Sequence, residues 1–160
     1  MNEFYKKNII SVRDLDKQKL ELIFDATDKI IDMSQDKRRE IARGKTLGYL
    51  FFEPSTRTRL SFESAIALLG GTSVGIADAT SSSIHKGETL GDTVKVISSY
   101  CDVLVLRHSL DGSSRFATEI SDKPVINAGS GTEEHPTQTI QDLFTIKKEK
   151  KKIDGLKIGI

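Results

Sequence analysis

The sequence predicts an α/β fold, a three-layer parallel sheet of about four strands with helices on both faces. Two observations carry that prediction. Apolar runs at 46–52, 103–107 and 125–128 lack the alternation of a half-exposed sheet, as strands covered on both faces do. Each run is followed by a stretch with helical apolar spacing. A chain of 160 residues fits one domain, or one domain plus a fragment of another. At about this length roughly 68–70% of the unfolded surface can be buried, so a core needs neither disulfide nor metal.

Residues 14–33 place Leu15, Leu20, Ile23, Phe24, Thr27, Ile30 and Ile31 on one helical stripe, with Asp14 or Asp16 as N-cap. A charged stretch, Gln35 to Arg43, leads into Gly44 without an assigned element. Thr46–Phe52 is a buried strand ended by Pro54. Ser55–Leu69 is a helix whose apolar positions are Leu60, Phe62, Ala65, Ile66 and Leu69, stopped by Gly70 and Gly71. Thr72–Ala77 is strand-like, and the Ser-rich segment Ala79–Gly87 is a loop. Leu90–Tyr100 is a helix, Val103–Arg107 a strand, Ser113–Ile120 a helix, Val125–Ala128 a strand and Pro136–Lys148 a helix. Leu156–Ile160 starts a further strand and stops at its most apolar point, so the sequence is expected to be part of something longer.

Charge and composition narrow the function classes. Lys and Arg number 24 against 23 Asp and Glu, a net charge of +1, which gives no electrostatic reason to expect nucleic acid or a membrane surface as partner. The Lys147–Lys152 cluster complements a helix C-terminus and needs no partner. The lone Cys101 cannot form an internal disulfide. No apolar run approaches the ~20 residues of a membrane span, and Met1–Ile10 lacks a secretory h-region. The expectation is a soluble, cytoplasmic domain. No Cys/His cluster has metal spacing, and no dinucleotide or Walker-type glycine loop is present.

Phe51-Phe52-Glu53-Pro54-Ser55-Thr56-Arg57-Thr58-Arg59 is the most informative stretch. A strand ends, Pro54 turns the chain, and Ser55 occupies a helix N-cap position. A helix N-terminus presents unpaired N–H groups and partial positive charge, so it favours anions. Arginines placed there oppose the macrodipole unless an anion joins them. The hydroxyls of Ser55, Thr56 and Thr58 with the guanidinium of Arg57 therefore read as a phosphate site.

This stretch resembles the carbamoyl phosphate motif of the aspartate and ornithine carbamoyltransferases. Ser81–Leu90 (SSSIHKGETL), Val105-Leu106-Arg107-His108 and His135-Pro136-Thr137-Gln138 follow in the order of that family's other motifs. The resemblance covers nearly the whole chain and implies the family's N-terminal domain, with residues 1–150 binding carbamoyl phosphate and 151–160 forming the linker and first strand of an aspartate-binding domain. It implies transfer of a carbamoyl group to an amine by positioning and electrostatics, with no covalent intermediate, metal or cofactor. Ser55, Thr56, Arg57 and Thr58 would bind phosphate, Thr58 also lying near the carbonyl oxygen. Arg107 would bridge phosphate and carbonyl oxygen, His135 would donate to that oxygen, and Gln138 would hold the carbamoyl NH2. Lys86 and Ser83 would enter the site of a neighbouring subunit, with Ser81 and Ser82 as alternatives to Ser83, and the family's catalytic trimer follows from that sharing. Glu53 would either pair with arginines of the second domain or simply favour the helix start.

Thr137, where ornithine enzymes carry Cys, and the cation of Lys86 point to L-aspartate as the acceptor. The rival readings are an ornithine carbamoyltransferase and a non-catalytic phosphate-ligand module. The 160 residues alone are expected to bind ligand with little turnover, and a regulatory chain remains open as a partner. Ser109, Ser130, Glu133 and Glu134 depart from the family pattern. Carboxylates next to His135 are expected to favour its protonated form.

Overall fold

The computed structural model describes residues 3–77 and 87–159. A 3-10 turn at Val12–Asp14 is the first helical element, closed by reciprocal bonds between Ser11 and Asp14. Helix α1 (Lys17–Asp32) follows, and Asp16 is its N-cap, accepting from the Lys19 backbone at 2.8 Å. Asp14 is thus engaged in the preceding turn.

The charged stretch without an assigned element is a helix, α2 (Gln35–Ile41). It buries none of its residues, so it has no apolar stripe by which periodicity could reveal it. Tertiary contacts hold it instead. Arg38 donates to the carbonyls of Met33 and Ile31 at 2.9 and 2.7 Å, satisfying acceptors at the end of α1.

Strand β1 (Thr46–Phe51), helix α3 (Thr56–Leu68), strand β2 (Thr72–Ile76), helix α4 (Leu90–Ser98), strand β3 (Val103–His108), helix α5 (Ser113–Ile120), strand β4 (Val125–Ser130) and helix α6 (Pro136–Lys150) complete the order. The sheet runs β2-β1-β3-β4 with every pair parallel. A bridge between Ile9 and Ile126 lays the N-terminal segment along β4. Residues 156–159 adopt no strand.

Alternate residues of the central strands feed two cores. Leu50, Leu104 and Leu106 pack with Val94, Ile97 and Ala117 of α4 and α5 on one face. Leu47, Phe51 and Val105 pack with Phe62 and Ile66 of α3 on the other. This is the expected three-layer arrangement. Leu60, one of the apolar positions of this helix, is 47% exposed, and α3 buries none of its residues. The reason is the edge position of β2, which leaves only part of α3 with sheet beneath it. No helix among the described residues is long and apolar enough to cross a membrane.

Gly70 ends α3 with φ +87°, and a Cβ there would lie 1.8 Å from the Arg39 carbonyl oxygen. The turn and the close approach of α2 both require glycine. Gly70→Ala should cost at least about 1–3 kcal/mol of stability in urea titration. Leu104, fully buried, should cost about 2–5 kcal/mol when replaced by Ala. Unchanged midpoints would contradict the packing described.

Candidate active site

Parallel strands put their carboxyl ends on one edge of the sheet, where the helices that follow begin. Three chain segments meet there: the start of α3 after β1, the end of β3, and the start of α6 after β4.

Ser55 takes extended backbone angles at the N-cap of α3, as expected, but its side chain makes no capping hydrogen bond. The first turn of α3 contains no acidic residue either. Its N–H groups and the dipole's positive end therefore face the cleft without an internal acceptor. Arg57 is exposed and has no ion-pair or hydrogen-bond partner among the described residues. Arg59, by contrast, is held by Glu63 at 2.9 Å along the same helix. The two arginines of the motif thus separate into one bound within the fold and one free to meet a ligand.

Arg107 sits at the end of β3 opposite Phe51 of β1. A register shift between β3 and β4 after Leu106 brings Gly129 beneath it. Gly129 has φ +121°, and a Cβ there would approach the Arg107 guanidinium to 3.2 Å. One guanidinium nitrogen donates to Glu53 Oε1 at 2.9 Å and another to the Ala128 carbonyl at 3.4 Å. Its Nε is buried and unpaired among the described residues. Glu53 thus has a role beyond the two expected of it: it orients Arg107 inside this domain.

His135 is the N-cap of α6, and Pro136 fills the first helical position, where its missing N–H costs nothing. The ring Nδ1 accepts from the Gln138 backbone N–H at 3.3 Å and lies 3.2 Å from the Thr137 hydroxyl. An accepting Nδ1 puts the proton of the neutral ring on Nε2. That Nε2 is buried and has no partner among the described residues. Burial, and then the Arg107 charge, push the His135 pKa below the ordinary imidazole value. The expected protonation by its neighbours is thus reversed. Glu134 turns away, accepting from the Ser11 hydroxyl and the Val12 backbone at 3.0 and 2.8 Å, and Glu133 is exposed.

One cleft of about 700 Å³ gathers Ser55, Thr56, Arg57, Thr58, Arg107, His135 and Gln138. Ser83 and Lys86 lie outside the described residues. The cleft also takes in Ser61, Phe62, Thr137 and Gln141. Ser61 and Gln141 were legible as one helical turn beyond Thr58 and Gln138, on the same faces. Chemically the wall offers backbone donors, a free guanidinium and two buried N–H donors, an arrangement suited to an anion attached to a polarised carbonyl.

Comparison with known proteins agrees with this geometry. Residues 7–148 match the family model described as aspartate/ornithine carbamoyltransferase, carbamoyl-P binding domain. The chain is 72% identical over its full length to the aspartate carbamoyltransferase catalytic subunit of Nitrosopumilus maritimus, of which it covers 52%. The catalytic subunit of M. jannaschii aspartate transcarbamoylase superposes with a TM-score of 0.85 at 47% identity, over 94% of this chain and 49% of that one. Aspartate transcarbamoylase from Trypanosoma cruzi in complex with carbamoyl phosphate and aspartate gives 0.84 at 36% identity, over 96% and 51% of the two chains. The chain thus spans about half the length of the relatives it matches. On the strength of motif, fold and match together, it belongs to the aspartate/ornithine carbamoyltransferase family.

Proposed function

We propose that this chain is the carbamoyl phosphate-binding half of an aspartate carbamoyltransferase catalytic subunit. The reaction moves a carbamoyl group from carbamoyl phosphate to the amine of L-aspartate, giving N-carbamoyl-L-aspartate and phosphate, a step of pyrimidine biosynthesis in the cytoplasm. The observation that carries the reading is the pair of buried, unpartnered donors, His135 Nε2 and Arg107 Nε, on residues that share one cleft with the uncapped start of α3.

In this reading Ser55, Thr56, Arg57 and Thr58 hold the phosphate at the helix start, where dipole and guanidinium reinforce each other. The amine attacks the carbonyl carbon, and negative charge gathers on the carbonyl oxygen as the tetrahedral intermediate forms. His135 Nε2–H, Arg107 and the Thr58 hydroxyl meet that charge as donors fixed before the reaction begins. Gln138 holds the carbamoyl NH2. Phosphate then leaves toward the same cations that bound it.

Residues 1–150 constitute the carbamoyl phosphate domain, and 151–160 are a linker toward an aspartate-binding domain. Lys86 and Ser83 complete the site of a neighbouring subunit in a homotrimer. Thr137 and the names of the relatives support aspartate over ornithine as the acceptor.

Two measurements on the full-length protein test this. Arg57→Ala should weaken carbamoyl phosphate binding in calorimetry by about 10–100-fold, the worth of a charge-assisted contact. His135→Ala should lower kcat by about 10²–10³ with a much smaller change in KM, because its contact strengthens only as charge develops. Equal losses in kcat and affinity for both variants would contradict the division of roles.

The His135 ring supplies a pH test. Burial and the Arg107 cation both disfavour imidazolium, while Asp142 and Glu53 favour it more weakly, so the net shift is downward. Nitrogen-15 NMR of the ligand-free protein should show a neutral ring at pH 7, protonated at Nε2, titrating below about 6.5. A midpoint at or above that value would refute the electrostatic description of the site.

A further inference from the structure

Asp142 lies one turn along α6 from Gln138, and its Oδ1 accepts from the Gln138 side-chain Nε2 at 2.9 Å. A side-chain amide has two arms of nearly equal shape and opposite polarity, and a half-turn about its last bond exchanges them. A carboxylate can only accept, so it decides the matter: the NH2 arm must face Asp142. Oε1 is then the arm left over, and no described residue donates to it. Gln138 lines the cleft beside His135.

The same logic operates one turn earlier. Nδ1 of His135 is occupied as an acceptor by the Gln138 backbone N–H, which leaves Nε2–H as the donor. The wall therefore presents one donor, on His135, and one acceptor, on Gln138, each with its polarity set by a neighbour on α6. A carbamoyl group offers the complementary pair, a carbonyl oxygen and an NH2 joined to one carbon. An acyl phosphate with a methyl group in place of the NH2 leaves Oε1 unanswered.

We propose that Asp142 is a positioning residue that sets the donor specificity of the site: by holding the Gln138 NH2 it turns Oε1 toward the ligand, where the amide oxygen selects a carbamoyl over an acyl group. The inference rests on the carbamoyl phosphate reading above and assigns a role to a residue that touches no substrate. A Gln–Asp pair four residues apart also steadies a helix wherever it occurs. That ordinary contribution is blind to the chemistry of the ligand, so selectivity separates the two roles.

The experiment is calorimetric titration of the full-length protein with carbamoyl phosphate, acetyl phosphate and inorganic phosphate, in the wild type, Asp142→Asn and Asp142→Glu. Asn retains the volume but can donate its own NH2 to Oε1 and turn the Gln138 amide round. The preference for carbamoyl over acetyl phosphate should narrow about five- to tenfold in Asp142→Asn, since a site built around a hydrogen bond discriminates through it. Inorganic phosphate, which lacks the group being read, should shift less than about twofold, and Asp142→Glu, which keeps an acceptor, should recover most of the preference. An unchanged preference in Asp142→Asn, or a parallel loss for all three ligands, would overturn the proposal. A wild-type protein that binds phosphate but does not prefer carbamoyl phosphate would instead sink the reading on which it rests.

Discussion

Parallel pairing of β1 with β3 sets Phe51 opposite Arg107, and from that register the geometry of the cleft follows. Because the strands run the same way, the turn after β1, the end of β3 and the turn after β4 open on one edge. Glu53, two residues past Phe51, then reaches the Arg107 guanidinium, tying the β1 turn to the β3 end. A slip of one residue would move Arg107 to the opposite face of the sheet and break that tie. The register is protected by the two cores, where Leu47 and Phe51 face one layer and Leu50 faces the other.

The electrostatics of the cleft are unbalanced by construction. Arg57 stands at the positive end of a helix whose first turn carries no carboxylate, and Arg107 depresses the proton affinity of a half-buried imidazole. Each of these arrangements opposes stability in the absence of an anion. Glu53 offsets the charge of Arg107 alone. The fold accepts these local costs because both arginines are anchored on rigid elements whose packing lies in the two cores behind them.

What the sequence made legible was the part governed by local rules. Unbroken apolar runs revealed β1, β3 and β4, and the Pro54–Arg59 turn announced a helix start with cations where anions belong. Helix α2 was hidden because Arg38 and the close contact beneath Gly70 hold it, neither of which leaves a periodic mark. The exposure of Leu60 was not legible, because the apolar pattern along α3 cannot say where the sheet ends. Glu53, Glu134 and Asp142 are the charged residues whose partners the sequence reading did not name. Their partners are Arg107, Ser11 with Val12, and Gln138, and only the last of these lies within a helical turn. A neighbouring carboxylate in sequence predicted a protonated His135, whereas in space Glu134 has turned to another task.

That task links the two ends of the domain. Glu134 receives the Ser11 hydroxyl across 123 residues of chain, and Asn127 donates to the Ile10 carbonyl across 117. Contacts of such separation close long loops, an entropic cost that the pairing of the intervening sheet offsets. The start of α3 follows β1 through a short turn and needs no such fastening. The loop that carries His135 is instead stitched to Ser11 and Val12 through Glu134. The segment made first thus fastens the loop that carries His135, the last in chain order of the three that form the cleft.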